Sequence, residues 1–172
     1  VGYNYYSGEP ITCAGAGVPL FMRHPASKLA LGNFCRSLLF SSVATLRLGM
    51  DILTGQGVHI GVLQGHGGFF KTEAVGQRIL ASALGVPVEV AKTAGEGGAW
   101  GIALLAGYLV WHRPGEGLED WLGSNVFSRR ETAREEPDEE IAAGFAQYMQ
   151  LYKRGLAAER VAADALFYGA GK

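Results

Sequence analysis

Residues 58–109 read VHIGVLQGHGGFFKTEAVGQRILASALGVPVEVAKTAGEGGAWGIALLAGYL. An apolar run enters a glycine-rich turn, and a helix, a strand and a second helix of small residues follow. The run at 58–63, bounded by glycines, predicts a strand buried on both faces in a parallel or mixed sheet. Gly65-His66-Gly67-Gly68 then stands just past the strand's C-terminal end, where backbone N–H groups can meet a phosphate or nucleotide. Thr72 is placed to cap the next helix, with Val75, Ile79 and Ala83 on one face and Gly85-Val86-Pro87 as its stop. Residues 88–90 read as the following strand. Thr93 and Glu96 form a T-x-x-E capping box, and behind them Gly97, Gly98 and Gly101 leave one side of a helix bare, as if a neighbour packed very close.

Working outward from this stretch, Val1, Tyr3 and Tyr5 alternate as in a strand, Pro10 breaks the run, and residues 11–13 and 18–22 read as further short strands. Leu31, Phe34, Leu38, Ser42, Leu46, Met50 and Leu53 recur at spacings of three and four, which predicts a long helix ended by Gly55 and Gly57. On the C-terminal side, residues 118–122 read as one helical turn, the polar run 124–136 as a loop or insertion, and the charged run 129–140 as a solvated loop and helix start. Pro137 suits the first position of a helix whose buried stripe is Ile141, Phe145, Tyr148 and Tyr152, with Lys153 and Arg154 at its end before Gly155. A separate last helix is expected over 157–167.

Composition narrows the classes. The 172 residues, 48% hydrophobic and 18% charged, are enough for one domain with a buried core. A net charge of -1 provides no basic field for nucleic-acid phosphates. Cys13 and Cys35 lack metal-ligand spacing and read as buried small hydrophobes in a reducing cytoplasm. No signal-peptide pattern opens the chain, and the apolar run 102–111 is about half of the ~20 residues that a membrane span needs. A start at Val1 inside a strand-like segment, without a leading Met, predicts a piece of something larger.

The chemistry legible in the residues is that of binding. Gly67 and Gly68 permit positive φ and close approach to the main chain. The turn satisfies neither the P-loop pattern nor the dinucleotide fingerprint, so a plain strand-to-helix turn stays open as an alternative. His66 or Lys71 could meet a phosphate, each against a bland local role. His24, His59 and His112 have no ligand spacing, and there is no nucleophile elbow, zincin motif or convincing acid pair. No catalytic residue and no metal ligand is assigned.

Taken together, Gly65 to Lys71, the Gln77-Arg78-Ile79-Leu80-Ala81 helix, Val86-Pro87-Val88 and the small-residue run from Thr93 to Ala106 resemble the C-terminal domain of FGGY-family carbohydrate kinases. Asn4-Tyr5-Tyr6-Ser7-Gly8-Glu9, Gly49-Met50-Asp51-Ile52-Leu53 and Leu156-Ala157-Ala158-Glu159 are similar to the xylulokinase-like and ribulokinase-like branches. His66 in place of a middle glycine and Trp100-Gly101-Ile102 depart from the pattern. The resemblance implies an α/β fold of the actin-like ATPase, ribonuclease-H-like type, a mixed sheet flanked by helices. Residues 1–172 would be the latter part of the C-terminal, nucleotide-binding domain, and the N-terminal domain lies outside them.

It further implies ATP with Mg2+ as cofactors and phosphorylation of a sugar hydroxyl, in a ketopentose such as xylulose. Gly65, Gly67 and Gly68 would lie against the adenosine side of the nucleotide, with Lys71 or Thr72 near a polar contact. The catalytic base and the metal ligands would belong to the N-terminal domain, so this chain alone is expected to be inactive. The implied partners are nucleotide, sugar and that missing domain, with a homodimer as the assembly to test; no nucleic acid or membrane partner is expected. A non-catalytic actin-like module that uses nucleotide to regulate assembly is the alternative reading.

Overall fold

The structure, a computed structural model, describes residues 1–72, 74–91, 97–129 and 132–168. They fall into two compact units. The first comprises Val1–Ile60, Ser82–Gly85 and Pro137–Lys172, the second Gly61–Ala81 and Val86–Glu136.

The first unit is built on two 25-residue helices, α1 (Leu31–Gly55) and α5 (Glu139–Ala163), with a short antiparallel ribbon of β1 (Gly2–Tyr3) and β2 (Leu20–Phe21). α1 begins and ends where its apolar spacing and Gly55 predict, but its buried residues are Phe40, Ser41, Val43, Ala44 and Met50. Leu31, Leu46 and Leu53 of the expected stripe are exposed. By length and composition α1 is the one helix among the described residues long and apolar enough to cross a membrane, whereas the helix that holds the run 102–111 is shorter. Its buried side chains pack in this unit's core: Phe40 meets Phe145 edge-on at 5.2 Å and Tyr148 at 5.5 Å.

Asp138 caps α5 by accepting from the Ile141 N–H at 3.0 Å, so Pro137 stands just outside the helix. α5 also runs straight through Gly155 instead of stopping there. The Tyr3 ring stacks on Tyr152 at 4.8 Å and its hydroxyl donates to the Tyr152 carbonyl at 2.8 Å, over a turn of α5 that only glycine leaves bare. Residues 11–13, expected as a strand, form a tight 3-10 turn at Pro10–Thr12 capped by Glu9. Cys13 and Cys35 are both free thiols and exposed, not buried as their composition suggested.

Four tyrosines tie the ribbon to the helices. The Tyr5 hydroxyl bonds Thr45 Oγ1 at 2.9 Å and the Tyr152 hydroxyl at 2.5 Å, and Tyr148 donates to the Gly2 carbonyl at 3.1 Å. Burial, reinforced by neighbouring phenols, raises the Tyr3 phenol above its ordinary range; burial likewise raises Tyr148 and Tyr152, outweighing the hydrogen bonds that favour their ionised forms. Above the usual tyrosine pKa of about 10 the unfolded chain releases these protons while the folded chain keeps them, so the unfolded state binds fewer and stability falls as pH rises. The contribution is complete below about pH 10 and is lost above it. Urea midpoints measured between about pH 8 and 11 should drop steeply at the alkaline end, and less steeply in Tyr152→Phe.

The second unit contains a three-stranded mixed sheet in the order β3 (Leu63–Gly65), β4 (Val88–Ala91), β5 (Thr132–Glu135). β3 and β4 are parallel, with Leu63 opposite Val88 and Gly65 opposite Val90, while β5 runs antiparallel to β4 with Val90 opposite Ala133. β3 therefore starts later than the apolar run 58–63 suggested and carries the first glycine of the turn. β5 lies inside the charged run read as a loop. It is an exposed strand whose Arg134 meets Glu89 at 3.1 Å and Glu136 at 2.7 Å, and whose Glu135 meets Arg78 at 3.2 Å. Charged side chains of this kind are what edge strands carry.

Three helices accompany this sheet. α2 (Val75–Leu84) lends its first seven residues to this unit, and there Gln77 donates to the Ala133 carbonyl at 3.1 Å. α3 (Gly97–Trp111) is followed by α4 (Leu118–Asn125), longer than the single turn expected, because Trp121 is buried and meets Tyr108 edge-on at 5.8 Å.

Candidate functional site

The glycine turn begins on β3, at the C-terminal ends of the two parallel strands, the usual place for a ligand in α/β sheets. Gly65 is buried, and a Cβ there would stand 2.5–2.8 Å from three ring atoms of Phe70. The turn closes because Phe70 folds back over a residue that has no side chain. Gly67 has φ +100, which strains any other residue, and it opens a 3-10 turn at Gly68–Phe70 in which Phe70 N–H donates to the Gly67 carbonyl at 3.2 Å.

Cβ atoms built on Gly67 and Gly68 would meet nothing within 4 Å among the described residues. Among the described residues the N–H groups of Gly67, Gly68 and Phe69 donate to no protein acceptor. Three successive main-chain donors without a protein acceptor among the described residues match the oxygens of a phosphate-bearing ligand in donor type, so the residues present fit a nucleotide.

Gly65, Gly67 and Gly68 are thus brought together, and Lys71 and Thr72 follow on the exposed rim of the same turn. Thr72 does not cap α2. The first intrahelical bond runs from Arg78 N–H to the Ala74 carbonyl, and Ala74 itself has φ 61, so Thr72 stands two residues ahead of the cap position and is left to the turn. His66 is exposed, and its ring packs against Gly97: a Cβ on Gly97 would lie 3.1 Å from His66 Nδ1. Sequence reasoning missed Phe70 as a residue that shapes the turn; it placed Gly97 at a close contact but did not identify His66 as the neighbour. A glycine four or five residues before an aromatic pair was the available signal for Phe70.

The Thr93–Glu96 capping box lies outside the described residues. Of the bare glycine side of α3, only Gly97 meets a neighbour among the described residues; Cβ atoms on Gly98 and Gly101 would meet none of them within 4 Å, contrary to the close packing expected there. Gly101→Ala should therefore stabilise α3 by about 0.5–1 kcal/mol, since alanine lowers the entropic cost of an interior helical position. Chemical denaturation checks this, and a loss of stability would show that the face is packed. Among the described residues no group of three or more His, Cys, Asp or Glu side chains converges as a metal site.

The profile of the FGGY family of carbohydrate kinases, C-terminal domain, matches residues 1–110. The chain belongs to this family. The match includes β3, the glycine turn, α2, β4 and nearly all of α3. No curated protein matches the chain. Among solved structures, the xylulose kinase from Rhodospirillum rubrum is similar with a TM-score of 0.56 and 20% identity, over 81% of this chain and 27% of that one. The ligand-bound xylulose kinase from Lactobacillus acidophilus is similar with a TM-score of 0.59 and 17% identity, over 93% of this chain and 29% of that one. The chain thus spans less than a third of the length of either. At these identities the likeness concerns the fold, which is the actin-like, ribonuclease-H-like α/β class that the sequence implied.

Proposed function

We propose that this chain is the nucleotide-binding latter part of the C-terminal domain of an ATP-dependent kinase that phosphorylates a ketopentose such as xylulose in the cytoplasm. The observation that carries the reading is the glycine turn at the end of β3, with three main-chain donors that have no acceptor among the described residues, inside a segment that matches the family. Gly65 shapes the turn, Gly67 and Gly68 admit the nucleotide to the backbone, and Lys71 and Thr72 supply polar contacts from the rim. ATP with Mg2+ would bring the transferable phosphoryl group; the residues of this chain bind and orient it.

Two observations support assigning the chain to a larger enzyme. Both xylulose kinases are about three times its length, judged from the covered shares. In addition, α3 exposes Ile102, Leu109, Val110 and Trp111 to between 68% and 73%, an apolar surface that soluble proteins ordinarily cover.

The test compares the isolated chain with the same chain carrying a preceding FGGY N-terminal domain, assayed with Mg-ATP against a panel of pentuloses and other polyols. Nucleotide binding without turnover is expected for the isolated chain, and xylulose phosphorylation for the longer protein. Turnover by the isolated chain that is abolished by a substitution within it would place the catalytic machinery here and refute the assignment.

A further inference from the structure

A cavity of about 340 Å³ opens in the first unit between the second half of α1, the end of α2 and the middle of α5. It lies in the other unit from the glycine turn, and the nucleotide reading makes no use of it. Its size is at the lower end for small-molecule sites. The methyl groups of Ala142 and Ala146 form the accessible apolar wall, with the buried Phe145 and Met149 behind them, and Arg47, Asp51 and Lys153 bring charge to it.

The charged group is organised in advance. Arg47 Nε donates to Asp51 Oδ1 at 2.7 Å and Nη1 to the Ala83 carbonyl at 2.8 Å, which fixes the guanidinium plane by two bonds. Nη2 has no acceptor among the described residues. Lys153 Nζ reaches Asp51 Oδ2 at 3.3 Å and keeps further donors. Two cations therefore share one carboxylate. Burial alone would raise the Asp51 carboxyl, but the hydrogen bonds and charges of Arg47 and Lys153 outweigh it and hold the group below its ordinary range. Asp51 stays ionised at neutral pH, and one positive charge is left uncompensated beside an apolar wall.

We propose that this cavity binds a small organic monoanion, its carboxylate on Arg47 and Lys153 and its aliphatic or aromatic body on the α5 wall of Ala142 and Ala146. A neutral ligand leaves the positive charge unmatched. A bare phosphate or a sugar phosphate gains nothing from the apolar wall, because it carries no apolar body to bury. The carboxylate and hydrocarbon parts are both needed.

Benzoate is the probe, titrated calorimetrically against the full chain, with benzamide as its neutral isostere and inorganic phosphate as an anion without a body. Saturable benzoate binding below about 10 mM is expected, about fivefold or more tighter than benzamide, with no phosphate binding in the same range. Lys153→Met removes half of the cation pair at an exposed position, and Ala146→Leu fills the cavity from a helical surface position. Each should weaken benzoate at least about fivefold while the melting temperature stays near that of the parent. Equal affinity for benzamide, no benzoate binding, or benzoate binding untouched in a folded Ala146→Leu protein would each overturn the proposal.

Discussion

Gly155→Ala is expected to destabilise the chain by about 2 kcal/mol, although alanine is the better helix former by about 1 kcal/mol. Gly155 lies inside α5, and an added Cβ would overlap the Tyr3 hydroxyl and stand 2.9 Å from Met22 Cε. Tyr3 cannot step aside. Only 1% exposed, it is stacked on Tyr152 and hydrogen-bonded to that residue's carbonyl. The extra methyl must displace the phenol or bend the helix, and either course loses the hydrogen bond and the stacking together. Gly144 in the same helix is the matched control, because a Cβ there would meet nothing within 4 Å. Gly144→Ala should gain about 0.5–1 kcal/mol. Urea unfolding of the two variants should move the midpoint in opposite directions. If both variants are stabilised, Tyr3 does not rest on α5 as described.

That contrast also shows what a sequence conceals. A glycine after Lys153 and Arg154 has the local signature of a helix end, and nothing near it records that Tyr3, some 150 positions earlier, needs the bare turn. The same holds for the face of α1. Its 3–4 spacing located the helix, but several registers of leucine and phenylalanine satisfy that spacing, and the aromatic partners on α5 select the one through Phe40 and Val43. β5 was illegible because Thr132, Ala133, Arg134 and Glu135 have no apolar alternation; pairing with β4 and ion pairs make it a strand.

The glycine turn was legible because its constraints are local. Strand, turn and helix follow within twenty residues, and glycine marks positions whose backbone must be free. Even here the sequence could not rank the glycines. Gly65 is needed for Phe70, Gly67 for its positive φ, and Gly97 for His66, whereas Gly68 and Gly101 face open space.

That ranking makes Gly68 the decisive position for the nucleotide. A valine there has room and meets no left-handed backbone, so folding should be retained with a stability change within about 0.5 kcal/mol. The branched side chain would occupy the open space beside Gly68 and hold a nucleotide away from the backbone of the turn. The expected loss is about tenfold or more in ATP affinity, roughly 1.4 kcal/mol, with the sugar KM unchanged. The measurement is ATP binding by calorimetry to the parent and Gly68→Val proteins in the intact kinase, alongside their melting temperatures. A folded Gly68→Val protein that binds ATP about tenfold more weakly is the expected result; a folded Gly68→Val protein that binds ATP as tightly as the parent would contradict the nucleotide site at this turn.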